Sequence, residues 1–451
     1  MPHVVTQPCC NDGSCVFACP VNAIQPTPDS PDFGLAEMLY IDPKTCVDCG
    51  ACVSACPVGA IKPKIALNAR ERRFIDVNAD WHEARRAQPG SSPRPLLAPV
   101  PPPLEVVSGA RPLRVAIVGS GPAAMYAADE VLNVSGARVS MYERLNEPYG
   151  LVRFGVAPDH FETRKVAERF DMTRRSRRFS LHLGVEVGRD VLHEQLLESH
   201  DAVIYAVGAA NDRRLDIPGI DLPGVASATE FVAWYNGHPD FAEREFDLSG
   251  RRVVVIGNGN VALDVSRIMA LDPLVLARTP IAPRALAALR ASGVEEVVVV
   301  GRRGDDEAAY TQAEFLGLQD TPSLRASVNL RYGLTPVRVL GDQRATGVEF
   351  VGEGGVERID AGLVLTSIGY RGRPVAGLPF DEETGTVPNV RGRVGDRVYV
   401  AGWIKRGPRG FIGTNRSCSA ETVRSLIEDF NARQTGREPH DDRSVPALTA
   451  S

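Results

Sequence analysis

The sequence predicts an α/β chain in which two tandem dinucleotide-binding (Rossmann-like) domains follow a small α+β, cysteine-rich module. Three observations predict it. Eight of the nine cysteines, Cys9, Cys10, Cys15, Cys19, Cys46, Cys49, Cys52 and Cys56, lie in the first 56 residues. Eight prolines fall within residues 88–112, a density that favours extended, semi-rigid chain and marks an interdomain linker. From residue 113 onward the pattern changes to buried strand, glycine turn and helix, and that unit is clear twice. A length of 451 residues, at about 150 per domain, agrees with three domains.

Composition narrows the classes. Apolar residues make up 43% and charged residues 24%, which excludes disordered and fibrous chains. The 51 basic and 56 acidic residues leave a formal net charge of −5, against the basic face that bulk nucleic-acid binding needs. No apolar run reaches the roughly 18 residues of a membrane span, so no membrane partner is expected. Met1-Pro2-His3-Val4-Val5 lacks the charged and apolar regions of a secretory signal, and a cytoplasmic location is expected. In a large chain of that kind, clustered cysteines bind metal more often than they form disulfides.

In the module, Cys46-x2-Cys49-x2-Cys52-x3-Cys56-Pro57 has the spacing of a bacterial ferredoxin run. Three thiolates at this spacing wrap one cubane, and the fourth reaches a neighbouring cluster. Zinc, the competing reading, usually takes two separate Cys-x2-Cys hooks. A shift of 37 residues lays Cys9 on Cys46, Gly13 on Gly50, Cys15 on Cys52 and Cys19 on Cys56. Asp12 falls where Cys49 would repeat, and Cys10 is out of register, opposite Val47. The crossover makes two ligand sets. Cys46, Cys49, Cys52 and Cys19 form a four-thiolate site for a 4Fe–4S cluster. Cys9, Cys15 and Cys56, with Asp12 or Cys10 nearby, suit a 3Fe–4S cluster or a second 4Fe–4S cluster with an oxygen ligand. Cys10 is expected to be a spare thiol, and Cys418 a small buried residue on the last helix.

The first nucleotide turn is Gly119-x-Gly121-x-x-Ala124, after Arg114-Val115-Ala116-Ile117-Val118. Its first glycine allows the tight turn, and its second lets backbone approach a pyrophosphate at the helix N-terminus. Glu143 ends the next strand, 24 residues after Gly119, where an acidic residue can hold a ribose hydroxyl. This site reads as FAD. The second turn, Gly257-x-Gly259-x-x-Ala262, follows Arg252-Val253-Val254-Val255-Ile256. Its next strand ends in Gly301-Arg302-Arg303-Gly304, with arginines in place of the acid. A carboxylate would repel a ribose 2′-phosphate, whereas guanidiniums grip it with charge-assisted bonds, so this site reads as NADP(H).

Longer segments carry a resemblance. They are residues 148–160, Pro148-Tyr149-Gly150-Leu151-Val152-Arg153-Phe154-Gly155-Val156-Ala157-Pro158-Asp159-His160, the turn from Gly257 to Val265, and residues 402–412 from Gly402-Trp403 to Gly410-Phe411-Ile412. Residues 113 to about 436 resemble the adrenodoxin-reductase type of ferredoxin–NADP⁺ reductase. With the module in front, the chain looks like the variant that carries its own ferredoxin domain. The resemblance implies that Ala123, Glu143, Leu151, Val191, Trp403, Gly410, Phe411 and Ile412 line FAD. It implies that Asn258, Gly259, Asn260, Val261, Arg302, Arg303 and Glu314 hold NADP(H), and that His160 and Glu314 stand beside the reacting rings as candidate catalytic residues. Two departures are visible: Phe161 replaces the family's usual proline, and the stretch between Leu318 and Tyr332 is shorter than in relatives.

The expected organisation is a two-cluster ferredoxin domain with an extension over residues 1–87, a linker over 88–112, a discontinuous FAD domain over 113–211 and 368–451, and an NADP domain inserted at 212–367. A nicotinamide delivers electrons in pairs and an iron–sulfur cluster takes them singly, so a flavin must stand between them. The expected flow is from NADPH through FAD to the clusters, then to an external one-electron acceptor such as a separate ferredoxin or a cytochrome P450 system. Opposite charge on residues 164–178 and on the acidic module could guide docking. Three rivals share parts of this pattern. A flavin disulfide reductase needs a redox cysteine pair, and no cysteine lies between Cys56 and Cys418. An electron-input subunit like the small subunit of glutamate synthase is the second, and a redox-sensing iron–sulfur protein the third.

Overall fold

A computed structural model describes residues 2–87, 95–107, 109 and 111–436. The tail after about Arg437, expected to lack regular structure, lies outside the described residues, as does part of the linker. Contacts divide the chain into two units: Met1–Val152 with Glu162–Asn211 and Arg371–Ser451, and Arg153–Phe161 with Asp212–Tyr370.

In the first unit, the strand Arg114–Val118 is buried along Val115 to Val118 because both faces of its sheet are covered. It pairs in parallel with Arg138–Glu143 on one side and Ala202–Tyr205 on the other. Phe179–Leu183, Val398–Val400 and Arg393–Gly395 complete six strands. The helix Pro122–Asn133 starts with proline at its first turn, where no intrahelical donor is lost. Its alanines at 123, 124, 127 and 128 are buried and let the long helix Thr414–Gln434 approach closely, with the Ser419 hydroxyl donating to the Ala123 carbonyl at 2.8 Å.

The cysteine-rich module belongs to this unit. His3–Val5 pairs antiparallel with Ile61–Pro63, and Ile24–Gln25 with Tyr40–Ile41. The helix Phe74–Arg86 closes over these strands. Its buried Asn78 side chain accepts from the Val5 and Ile41 amides and donates to the Val5 carbonyl, joining the two small sheets. Trp81 of the same helix stacks on Tyr40 with ring centres 4.7 Å apart. The end of the linker runs along Thr414–Gln434, where Asn431 bonds the Val107 amide at 3.0 Å and the Glu105 carbonyl at 2.9 Å.

In the second unit a five-stranded sheet runs in the order Val225–Ser227, Leu363–Thr366, Arg252–Ile256, Glu296–Val300 and Ser327–Arg331. All its pairings are parallel. The shortened stretch after Leu318 still delivers the edge strand Ser327–Arg331. Three antiparallel strands, Thr335–Leu340, Gly347–Gly352 and Gly355–Asp360, form a second small sheet.

Candidate functional site

The two cysteine runs fold as copies of each other. Asn11 and Asp48 take left-handed φ of 60° and 59°, Gly13 and Gly50 of 72° and 75°, and Asn22 and Gly59 of 49° and 62°. Between them sit the short helices Ser14–Ala18 and Ala51–Ala55, ended by Cys19 and Cys56 in matching extended conformations. The Ala23 amide donates to Cys19 Sγ and the Ala60 amide to Cys56 Sγ, both at 3.3 Å. None of the nine cysteines is in a disulfide.

The thiols lie close enough to influence one another across the two runs. Burial pushes Cys52 up to about 12, reinforced by Cys46, Cys19 and Cys49 around it. Burial likewise pushes Cys9 up to about 12, with Cys56 and Asp12 adding to the effect. Cys15 is raised by burial, then by Cys9, Asp12, Cys56 and Cys52. Burial and mutual repulsion thus disfavour the thiolates of Cys9, Cys15 and Cys52. A cation-rich cluster is the kind of group that this donor set fits, because it supplies positive charge where desolvation and mutual repulsion disfavour thiolates.

The groups differ in their fourth position. Cys49 is exposed. Asp12, its counterpart, is 5% exposed, and its carboxylate accepts from both the amide and the hydroxyl of Ser14. Arg416 Nη1 lies 3.7 Å from the same carboxylate and donates to the Asp12 carbonyl and Ser14 Oγ. Cys10 is buried in the core shared with Ala123, Ala124 and Tyr126.

At the first nucleotide turn, Gly119 has φ 98°, and a Cβ there would stand 2.6 Å from the Ala206 carbonyl. Gly121 faces open space, with nothing within 4 Å of a Cβ position, which leaves room for a pyrophosphate against the helix N-terminus. Glu143 is buried at the strand end. It accepts from Ser120 N at 3.0 Å, Ser120 Oγ at 2.6 Å and Leu145 N at 3.0 Å, so it braces the turn. The Tyr149 amide donates to Ser120 Oγ, and Gly150 packs on Gly121, which brings Leu151 to this turn. Val191 packs against the sheet face that holds Val118.

Residues 402–415 close over the same helix end. A Cβ at Gly402 would stand 2.5 Å from that of Ala123. Asn415 donates to the carbonyls of Phe411 and Ile412, and the Trp403 ring nitrogen donates to the Arg409 carbonyl. The structure thus gathers Gly119, Gly121, Ala123, Glu143, Leu151, Trp403, Phe411 and Ile412 around one helix start.

The second turn repeats the first. Gly257 has φ 113°, and a Cβ there would collide with the Ser367 carbonyl, while Gly259 again faces open space. Asn258 and Asn260 accept from the Ala309 and Thr311 amides, tying residues 309–311 to the turn. Arg302 and Arg303 are exposed at the end of Glu296–Val300, and Arg303 lies 3.4 Å from Glu307.

The same unit brings His160 and Glu314 together, with Nε2 3.8 Å from the carboxylate. Arg267, 3% exposed on the helix Asn260–Ala270, lies at the centre of the group. It bonds Asp159 at 2.8 and 3.0 Å, Asp264 at 2.7 Å and His160 Nε2 at 2.9 Å, and lies 3.9 Å from Glu314. Burial alone would lower its ionisation, but Asp264, Asp159 and Glu314 outweigh that and keep it charged. Sequence reasoning missed Arg267. The local trace was Asp264 three residues before it on the same helix face, a spacing that ordinary surface pairs share.

The basic run works mostly within its own domain. Lys165, Arg174 and Arg178 bond Glu162, Asp171 with Tyr149, and the carbonyls of Leu132, Val134 and Ala137. Arg169 bonds Asp129 and reaches Ser14 of the module at 3.4 Å.

Two glycine turns that each leave open space at a helix start, on a chain that also holds a paired set of cysteine groups, define an oxidoreductase of the two-nucleotide class joined to an iron–sulfur module. Comparison with known proteins agrees. The pyridine nucleotide-disulphide oxidoreductase family matches residues 113–410, and the 4Fe-4S dicluster domain matches residues 8–60. A probable ferredoxin/ferredoxin–NADP reductase of Mycobacterium leprae (strain TN) is 53% identical, covering 96% of this chain and 87% of its own. Mitochondrial NADPH:adrenodoxin oxidoreductase of Bos taurus is 40% identical, covering 71% and 79%. The structure of Mycobacterium tuberculosis FprA in complex with NADPH, 41% identical, matches with a TM-score of 0.67 over 72% of this chain and 86% of that one. The chain belongs to the pyridine nucleotide-disulphide oxidoreductase family and, within it, to the adrenodoxin-reductase-type ferredoxin–NADP⁺ reductases that carry an N-terminal ferredoxin domain. No helix among the described residues is long and apolar enough to cross a membrane.

Proposed function

We propose that this chain oxidises NADPH and delivers the electrons one at a time, through FAD and its own iron–sulfur module, to an external acceptor. FAD supplies the chemistry that joins paired to single electrons, and the clusters carry single ones. The chain's residues supply placement. The amide-lined starts of Pro122–Asn133 and Asn260–Ala270 receive the two pyrophosphates. Arg302 and Arg303 select the 2′-phosphate, and Glu143 takes the flavin ribose. Arg267 fixes His160 and Glu314 in register, where they position the nicotinamide rather than transfer a proton.

The observation that supports this reading is the pair of cysteine runs folded as copies of each other, on a chain that also holds both nucleotide turns. Cys19, Cys46, Cys49 and Cys52 hold a 4Fe–4S cluster. For Cys9, Cys15 and Cys56 we favour three irons, since Asp12 is engaged by Ser14 and Arg416 and Cys10 is packed in the core. A separate ferredoxin or a cytochrome P450 system in the cytoplasm suits the acceptor role.

Anaerobic absorbance and EPR spectra before and after NADPH test the reading. Bleaching of the flavin band, followed by loss of a three-iron signal and growth of a reduced four-iron signal, is the expected result. A flavin that NADPH leaves oxidised rejects the function. Eight irons per chain with no three-iron signal rejects only the cluster assignment.

A further inference from the structure

Among the contacts between the module and the flavin domain, one is closely fitted by backbone. The Gly413 amide donates to the Cys10 carbonyl at 2.6 Å. A Cβ at Gly413 would run into the backbone of Asn11 and Asp12. Gly413 itself has ordinary helical torsions, φ −74° and ψ −23°, so its own conformation does not call for glycine. What calls for it is the approach of the other backbone. Arg416, one turn into the same helix, clamps the loop from the side through the Asp12 carbonyl at 3.2 Å and Ser14 Oγ at 2.7 Å. Gly413 immediately follows Phe411 and Ile412, the segment read above as lining FAD. Residues 10–14 lie between Cys9 and Cys15, and Ile412, Cys9 and Cys56 all pack against one core.

The other cysteine group has a different setting. Cys49 is exposed, and beside it Val47 and Val53 are 58% and 36% exposed. We infer that the incomplete group, Cys9, Cys15 and Cys56, is the inner station that takes electrons at the Gly413–Cys10 junction, and that the complete group, Cys19, Cys46, Cys49 and Cys52, is the outer station that hands them to the external acceptor. The inference rests on the function proposed above and adds an order and a junction to it. One NADPH oxidised to NADP⁺ releases two electrons and one proton. Two single-electron transfers across the junction balance it, and the proton goes to solvent.

Freeze-quench EPR and amide hydrogen exchange on the full chain test the order. In the unaltered protein mixed with NADPH, the signal from the Cys9, Cys15 and Cys56 site changes first, and that of the four-thiolate site follows. Gly413→Ala wedges the two backbones apart. Exchange at residues 10–14 then quickens and NADPH still bleaches the flavin, while both cluster signals lag roughly tenfold or more, the scale on which rates respond to ångström misplacement. Arg416→Gln loosens the clamp without a wedge and gives a smaller lag in the same direction. The inference is overturned if the four-thiolate signal changes first in the unaltered protein. It is also overturned if clusters reduce at the normal rate in Gly413→Ala protein whose residues 10–14 exchange faster. Should Gly413→Ala not fold, the order in the unaltered protein decides. Failure of NADPH to bleach the flavin at all would instead defeat the underlying function.

Discussion

Gly119 and Gly257 open the two nucleotide turns with the same left-handed backbone, φ 98° and 113°, and each amide donates at 2.8 Å to the last residue of the pairing strand segment, Tyr142 or Val300. Both turns lead into a glycine that faces open space and then into a helix. They part at the end of the next strand. In the first, Glu143 is buried and bonds back to Ser120. In the second, Gly301 admits the Asn258 side chain, and Arg302 and Arg303 reach into solvent. On the proposed function, the backbone determines that a pyrophosphate binds, and two or three side chains determine which dinucleotide it belongs to. The sharpest way to separate these roles is to break each.

The largest effect is expected from the shared part. Valine at 257 must place Cβ into the Ser367 carbonyl and adopt a positive φ, costing about 3–5 kcal/mol when overpacking and torsion are combined. NADPH binding should be lost in titration while FAD stays bound. Gly119→Val should show the reverse, FAD lost with the NADP unit still folded. If either variant loses both nucleotides, the turns are not independent.

The side chains come next. Each charge-assisted bond to a 2′-phosphate contributes about 1.5–3 kcal/mol, so Arg302→Ala with Arg303→Ala should lower kcat/KM for NADPH by roughly 100-fold or more. The value for NADH should hold within about threefold, because neither arginine has a phosphate to meet there. A parallel loss for both nucleotides would mean the arginines support the turn, as Glu143 does. Glu143→Ala strands the buried Ser120 donors and should cost about 2–4 kcal/mol of stability, with weakened FAD retention. Glu143→Gln, which keeps an acceptor, should restore most of the melting temperature.

Much of this was legible in the residues because it is local. The 37-residue repeat in cysteine spacing reappears as matched torsions, with Asn11 against Asp48 and Asn22 against Gly59, since the same short helix and turn are built twice. Arg302 and Arg303 could be read because they directly follow a strand that follows a glycine turn. Arg267 could not. Its partner Asp159 lies 108 residues away, and no local pattern distinguishes a buried arginine from one at a solvated helix edge. Gly413 was equally silent, since its reason lies in Asn11 and Asp12, some 400 residues earlier. The proposed charge attraction between residues 164–178 and the module reduces, for Lys165, Arg174 and Arg178, to bonds inside their own domain. Net charge in a window says nothing about which partners are already within reach.

The Arg267 cluster gives the second unit a pH dependence through Asp159. Burial would raise the Asp159 carboxyl, but the charge of Arg267 and its two hydrogen bonds outweigh burial and hold the group below its ordinary value of 3.8. A carboxyl lowered on folding contributes stability above that ordinary value and loses it as pH falls through the lowered one. Arg267 stays charged throughout. Asp159→Asn removes the charge at every pH. It should therefore be less stable than the unaltered chain near neutrality, by about 1–3 kcal/mol for a charged hydrogen-bonded contact. The difference should shrink as the solution is acidified past the ordinary carboxyl value and vanish once Asp159 is protonated in both states. Thermal unfolding of the two proteins from pH 7 to pH about 3 checks this. A stability gap that persists undiminished at the acid end would show that Asp159 acts by shape and packing, leaving Asp264 as the carboxylate that holds Arg267.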